Sequence, residues 1–175
     1  MTGKEFLNKI GKTRKDYIGE FFNILRRKKV KFCVIGGLAV NAYAEPVVSL
    51  DLDVVVISQK LGELKKLLSK KFKIKKFEHS INISFPRADI KVQIQTDERY
   101  QEFIKNARKK TVLGYKVPVA GVEDVLKGKV WAYQDKKRRA SKRMKDLADI
   151  MRLLEVKPAL SGLLPRKLKK EITGK

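Results

Sequence analysis

The segment FCVIGGLAVNAYAEPVVSLDLDVVVI, residues 32–57, decides the fold and carries the residues best suited to chemistry. It begins as an apolar strand, reaches the glycine pair Gly36 and Gly37, continues as a short helix and returns as a second strand. Successive side chains of a strand point to opposite faces, so Asp51 and Asp53 lie side by side on one face. Two like charges this close are unfavourable unless a cation or a shared proton offsets their repulsion. The first hypothesis is therefore a divalent metal ion at this pair.

The remaining hydrophobic pattern predicts alternating helices and strands. Apolar residues three and four apart predict helices, and alternating apolar residues predict strands. The predicted elements are helices at 13–27, 38–43, 61–68 and 98–108, strands at 31–35, 50–57, 72–77, 81–85 and 89–95, a hairpin at 111–119, and further helices towards the C-terminus. The length suits one domain with a substantial core. We therefore predict a single domain over residues 1–175, with an α/β core at about 30–119 and a helical part at about 121–172.

Composition excludes several classes of site and location. The chain has one cysteine, Cys33, and one histidine, His79, which rules out a disulfide framework or a Cys/His zinc site and leaves a serine–histidine triad improbable. No stretch approaches the roughly 20 apolar residues needed to span a bilayer. Charges scattered through the first twelve residues, MTGKEFLNKIGK, argue against a secretory leader. We expect a cytoplasmic protein without a membrane partner.

The charge balance predicts a polyanionic partner. The 42 Lys and Arg residues against 19 Asp and Glu residues give a formal net charge of +23. An ion-pair-rich thermophilic surface would raise lysine and glutamate together, so it leaves the imbalance unexplained. The basic run DKKRRASKRMK, residues 135–145, concentrates this charge. Nucleic acid is favoured over a membrane surface, because no helix combines a basic face with exposed aromatic anchors.

Two blocks of the sequence resemble a known superfamily. The glycine pair, the Asp-x-Asp pair after thirteen intervening residues and a later strand bearing Asp89 resemble the signature of nucleotidyltransferases with the DNA polymerase β-like fold. The segment PVAGVEDVLKGKVWAYQDKKRRASKRMKDLADIMRLL, residues 118–154, resembles the C-terminal part of minimal and AbiEii-type nucleotidyltransferases. The resemblance covers roughly residues 30–155. It implies an α/β (α+β) fold: a mixed sheet flanked by helices, with a helical C-terminal part.

The resemblance implies a magnesium site of three carboxylates. Asp51 and Asp53 would be the primary ligands, and Asp89 would complete the set and assist deprotonation of the acceptor hydroxyl. Two Mg²⁺ ions would then act, one activating the attacking oxygen and the other supporting the leaving pyrophosphate. The alternative for each aspartate is a solvated residue at the end of a strand.

The glycine pair and a nearby serine are candidate phosphate ligands. Gly36 and Gly37 leave backbone N–H groups bare at a helix start, where a triphosphate would be favoured; the alternative is a simple strand-to-helix turn. The hydroxyl of Ser49 would add a donor. Many AbiEii-type members have an arginine where this chain has Val47, so another cation must replace that phosphate contact.

Lys129 is a further candidate ligand of the nucleotide. It falls on the apolar stripe of its helix, where a lysine costs free energy unless its ammonium group finds a partner or reaches solvent. Asp146 and Asp149 match acidic positions of the family and are candidates to orient Lys129 from outside the first ligand shell. Their alternative role is surface pairing with nearby cations.

The implied activity is transfer of a nucleoside monophosphate from an NTP to a hydroxyl, with release of pyrophosphate. The charge favours RNA, for example a tRNA end, as acceptor, while a protein side chain or an antibiotic-like molecule stays open. The AbiEii resemblance allows a toxin restrained by an antitoxin protein. Two rival hypotheses are a catalytically inactive nucleotidyltransferase-fold module that binds RNA or nucleotide, and an RNA-binding protein of unrelated fold.

Overall fold

The computed structural model describes residues 5, 8, 9 and 11–174. Its strands are β1 (Phe32–Ile35), β2 (Asp51–Val56), β3 (Lys73–Lys76), β4 (Ser80–Ser84), β5 (Lys91–Gln95), β6 (Arg108–Val112) and β7 (Tyr115–Val119). They form one seven-stranded sheet in the order β3-β4-β5-β2-β1-β7-β6. Its helices are α1 (Tyr17–Arg27), α2 (Gly36–Val40), α3 (Ser58–Ser69), α4 (Val122–Gln134), α5 (Ala140–Val156) and α6 (Arg166–Thr173), with 3-10 helices at Glu98–Ile104 and Pro158–Leu163. This is the predicted mixed sheet flanked by helices.

Aromatic packing under α1 covers one face of the sheet. Asp16 caps this helix by accepting a 2.7 Å hydrogen bond from the backbone N–H of Gly19. Phe22 of α1 packs on Phe32 and Tyr115, with ring centroids 5.7 and 5.5 Å apart. These contacts join α1 to β1 and β7, and they leave the opposite face of the sheet to the site.

The central strands place the key residues next to one another on that opposite face. Strand β1 runs antiparallel to β2, with Ile35 opposite Asp53. Strand β5 runs parallel to β2, with Gln93 opposite Asp53. Paired residues of neighbouring strands point to the same face, so Ile35, Asp53 and Gln93 form a row there. The 3-10 helix Glu98–Ile104 and α4 cover the same face through Phe103 and Trp131, whose rings stack at 5.7 Å.

Several predicted boundaries differ from the structure, and the following two need a physical explanation. The strand predicted at 89–95 begins at Lys91, because the backbone N–H of Asp89 binds the carbonyl of Gly11 at 2.9 Å, away from the sheet ladder. The helix predicted at 98–108 is a 3-10 helix that ends at Ile104, since Arg108 already starts β6. Within the described ranges, no helix is long and apolar enough to cross a membrane.

Candidate functional site

The Asp51–Asp53 pair lies at the start of β2, at the mouth of a narrow cleft. Asp53 is half-buried and lines the cleft together with Gly36, Gln93 and Lys129. Asp51 stands one pleat earlier on the same face, and half of its side chain, 51%, is exposed. The cleft, about 90 Å³ in volume, lies between the sheet and α4. One carboxylate of the pair therefore points into the cleft and the other borders solvent.

Gly36 makes room for the carboxylate of Asp53. Its φ of +68° lies in the left-handed region that favours glycine. A Cβ atom at Gly36 would fall 2.1 Å from Oδ2 of Asp53. Gly37 has no such constraint, because a Cβ atom there would meet only Oγ of Ser49 at 3.9 Å. The glycine pair thus holds one indispensable glycine and one that tolerates a methyl group.

Ser49, a predicted phosphate donor, lies beside the glycine pair, with its Oγ 3.9 Å from the position of a Cβ atom on Gly37. Its hydroxyl donates a 3.2 Å hydrogen bond to the backbone carbonyl of Asp51. This distance is long for an O–H···O hydrogen bond, so the hydroxyl could readily donate to another acceptor instead. Ser49 therefore borders the start of β2 without being locked there.

Burial makes Asp53 a weaker acid than a solvated aspartate. Desolvation raises the pKa of Asp53 from the ordinary 3.8 to about 6; Lys129 opposes this rise and Asp51 reinforces it. Arg138 and Lys142 add smaller opposing contributions that lower the pKa. Near neutral pH the cleft thus holds a carboxylate whose negative charge is poorly stabilised by the protein alone.

Lys129 sits in a buried network of ion pairs behind the cleft. Its Nζ lies 3.0 Å from Oδ1 of Asp146 and 2.7 Å from Oδ2 of Asp149. All three residues are at least nine-tenths buried. Burial alone would lower the pKa of Lys129, but Asp149 and Asp146 outweigh it and hold the pKa above its usual value. Lys129 therefore stays charged, and its charge is already shared by two carboxylates.

Two arginines extend the network to the surface. Nε of Arg138 lies 2.7 Å from Oδ2 of Asp146, while its guanidinium borders the cleft. Arg152 pairs with Asp149 at 2.7 Å and reaches Oδ1 of Asn41 at 3.0 Å and the carbonyl of Glu45. The chain from Glu45 to Asp51 is thereby fastened to α5, on which Arg152 lies.

A second cation of α5 faces the aspartate pair directly. Nζ of Lys142 lies 3.8 Å from Oδ2 of Asp51. That separation exceeds a hydrogen-bond length, so the contact is a loose ion pair. Arg138 and Lys142 together bring positive charge to the two sides of the carboxylates.

Asp89 is not brought to this cleft. Its carboxylate pairs with Nζ of Lys12 at 3.0 Å, and half of its side chain is exposed. The register pairs Asp51 with Lys91, which places Asp89 two residues before that level on the neighbouring strand. Within the described part of the chain, no group of three acidic, histidine or cysteine side chains is arranged to hold a metal. The expected convergence of three carboxylates is thus reduced to Asp51 and Asp53.

Residues that the sequence analysis did not select also line the cleft. Gln93 and Gln95 occupy the polar face of β5, and Arg138 comes from the α4–α5 connection. The alternation of β5 is the signal for the glutamines, since the face that carries them is the one that carries Asp53 in β2. The sequence holds no comparable signal for Arg138, which is one cation in a basic run.

The cleft opens into a wider groove of about 680 Å³, the outer groove, which shares Gln95 and Arg138 with it. Trp131 forms one wall, with Cζ of Arg99 4.8 Å from its ring centroid. Lys137 lines the same groove. This volume lies in the usual range of small-molecule and cofactor sites.

Gly36 supplies a test of the cradle around Asp53. Replacing Gly36 by Ala should lower the free energy of unfolding by about 2–4 kcal/mol, because the methyl group forces the Asp53 side chain aside and the backbone strains. Urea denaturation of both variants measures this, with Gly37→Ala as the matched control expected to change by less than about 1 kcal/mol. Equal losses in the two variants would contradict the assigned geometry.

The acidity of Asp53 gives a pH-dependent prediction for stability in metal-free buffer. The folded pKa exceeds the unfolded one, so the stability that protonated Asp53 contributes is complete below about pH 4 and is lost as pH rises through about 6. Asp53→Asn avoids the cost of the buried charge. It should be more stable than wild type at pH 8, on the order of 2 kcal/mol, and should show no such gain near pH 3.8. Denaturation at both pH values decides, and a pH-independent difference would refute the buried-charge explanation.

Solved structures with a similar fold are nucleotidyltransferases. The antibiotic-resistance factor ANT(2'')-Ia aligns with a TM-score of 0.56 and 10% identity, over 83% of this chain and 89% of that one. LnuA, a lincosamide antibiotic adenylyltransferase solved with lincomycin, gives 0.54 and 12% over 82% and 99% of the two chains. TM1012 of Thermotoga maritima, assigned as a nucleotidyltransferase, gives 0.53 and 20% over 76% and 91%. At these identities the similarity shows the fold alone.

The sequence itself shows the family. No curated protein matches the chain. Residues 23–173 match the family described as "Nucleotidyl transferase AbiEii toxin, Type IV TA system". Because that match spans most of a chain whose fold and paired aspartates agree with it, the protein belongs to the AbiEii nucleotidyltransferases, with a polymerase β-like fold.

Proposed function

We propose that this protein is a magnesium-dependent nucleotidyltransferase that transfers a nucleoside monophosphate from an NTP to a hydroxyl of RNA. The observation that carries the proposal is the Asp51–Asp53 pair at the mouth of the cleft, where Gly36 provides the room that the carboxylate of Asp53 occupies. A hydroxyl oxygen would bond to the α-phosphorus as the bond to the bridging oxygen breaks. Pyrophosphate leaves, and the hydroxyl proton is released to solvent.

The donor set fits one magnesium ion held with its substrate. Mg²⁺ is commonly bound by one or two carboxylates together with substrate phosphates and water. Asp51 and Asp53 are such a pair, and because desolvation raises the pKa of Asp53, a cation bound beside it would stabilise its ionised form. When bound, the ion supplies positive charge to the triphosphate and to the leaving pyrophosphate. A second ion would need Asp89 to leave Lys12, so we propose one ion at the pair.

The chain's own residues would position the nucleotide around that ion. Arg138, held by Asp146, offers a fixed cation at the cleft. Gly36 and Gly37 let the triphosphate approach the backbone closely, and Ser49 offers a hydroxyl on the same side. Lys129, which also lines the cleft, keeps Asp146 in place for Arg138.

The outer groove is our proposed entry for the acceptor. It joins the cleft at Arg138, so a strand lying in it would bring its terminal hydroxyl towards Asp53. Lys137 and the exposed Lys136 and Arg139 border its end in the α4–α5 connection. Cations so placed, in a chain of net charge +23, suit a phosphate backbone better than a neutral small molecule. A tRNA end is an acceptor of this kind.

The family to which the chain belongs supports a toxin role. The family description names a toxin of a type IV toxin–antitoxin system. We propose that modification of an essential RNA arrests growth, and that an antitoxin protein opposes it in the cell.

Labelling of RNA distinguishes the proposed role of Asp53 from that of Asp89. With α-labelled NTPs, Mg²⁺ and total RNA, Asp53→Asn should lower the labelling rate by at least about 100-fold, because it removes a charged ligand of the ion. Asp89→Asn, the matched control, should stay within about three-fold of wild type, since Asp89 lies outside the cleft. Loss of labelling with Asp89→Asn would restore the three-carboxylate site. A wild type that binds RNA but labels nothing with any NTP would support the inactive binding module instead.

A further inference from the structure

Lys142 occupies a position that the proposed function leaves unexplained. It lies in the first turn of α5, and its Nζ is 3.8 Å from Oδ2 of Asp51. The lysine side chain is 41% exposed and that of Asp51 is 51% exposed. An ion pair this exposed and this long is weak and easily broken. Lys142 therefore contributes little to the stability of the fold.

The charges around the pair show what Lys142 does in the metal-free protein. Lys129, Arg138 and Arg152 are engaged by the buried carboxylates Asp146 and Asp149. Lys142 pairs with no described acid other than Asp51. It is thus the counter-ion of the carboxylate that would otherwise face Asp53 unpaired.

A divalent ion at Asp51 and Asp53 would replace Lys142 as counter-ion and repel it. The ammonium group sits on a flexible four-carbon stem, so it can move several ångströms without any movement of α5. The triphosphate that accompanies the ion brings negative oxygens to the same place. These would be the nearest anions to the displaced ammonium group.

Resting on the proposed function, we propose that Lys142 is a mobile phosphate ligand: it neutralises Asp51 in the metal-free protein and transfers to a triphosphate oxygen when a divalent ion binds. It would supply the cation that this chain lacks at Val47. The proposal differs from a fixed phosphate contact such as that of Arg138, whose Nε is bonded to Asp146. Lys142 would therefore weaken binding of the metal ion alone and strengthen binding of the triphosphate when the metal ion is present.

This dual role predicts opposite effects of one substitution on two affinities. Mn²⁺ binding, followed by the electron paramagnetic resonance signal of the free ion, should tighten about two- to five-fold in Lys142→Ala, because a competing charge is removed. Binding of inorganic triphosphate in saturating Mn²⁺, followed by calorimetry, should weaken by about ten-fold or more, because a charge-assisted phosphate contact is lost. Lys142→Arg should recover most of the triphosphate affinity.

Lys145→Ala is the matched control. Lys145 lies on the same helix, is exposed and forms no salt bridge with a described residue, so its removal changes the net charge equally. Both affinities should stay within about two-fold of wild type. If the two alanine variants behave alike, or if Lys142→Ala weakens both ligands, the proposal is overturned.

The same titrations keep the two claims apart. A wild type that binds neither Mn²⁺ nor triphosphate would overturn the proposed function and this inference with it. A wild type that binds both, beside a Lys142→Ala variant identical to it, would overturn the inference alone.

Discussion

The site depends on the repulsion between two neighbouring carboxylates, which the protein alone does not fully offset. Asp51 and Asp53 are forced onto one face by the pleat of β2, and burial of Asp53 makes its ionised form costly. The surroundings offset this only in part, through the charges of Lys129 and Arg138 and the loose ion pair of Lys142. A site with such a deficit of positive charge binds a cation more strongly than a fully paired one would. We regard that deficit as the origin of the proposed metal and nucleotide affinity.

The helical C-terminal part completes the site because of one buried lysine. The ammonium group of Lys129 links α4 to two aspartates of α5, and each aspartate carries an arginine. Removing one partner of such a buried set leaves an uncompensated charge at a cost of about 3–5 kcal/mol. The network therefore holds α5 against α4, the helix that forms one wall of the cleft. Arg152 extends the same control to the segment that leads into Asp51.

The sequence predicted the parts of this arrangement that follow from local periodicity. Asp51 and Asp53 share a face because strand geometry allows nothing else, whereas the mixed sheet is what the resemblance to nucleotidyltransferases implies. A lysine on an apolar stripe costs free energy unless its ammonium group finds a partner or reaches solvent, and in the structure Asp146 and Asp149 are its partners. These inferences need no knowledge of which strands are neighbours.

The inferences that failed or were missed needed the register between distant strands. Asp89 lies before β5 begins, where Lys12 pairs with it, and no local pattern shows that the strand starts at Lys91. Gln93 lies opposite Asp53 only through the parallel pairing of β2 and β5, so the sequence alone suggests that this polar face of β5 is exposed to solvent.

The most direct test of the account is a crystal structure with Mn²⁺ and a non-hydrolysable NTP analogue. We predict an ion about 2.0–2.3 Å from oxygens of both Asp51 and Asp53, with its phosphates beside Gly36; an ion bound at Asp89, or a nucleotide bound away from the cleft, would contradict it.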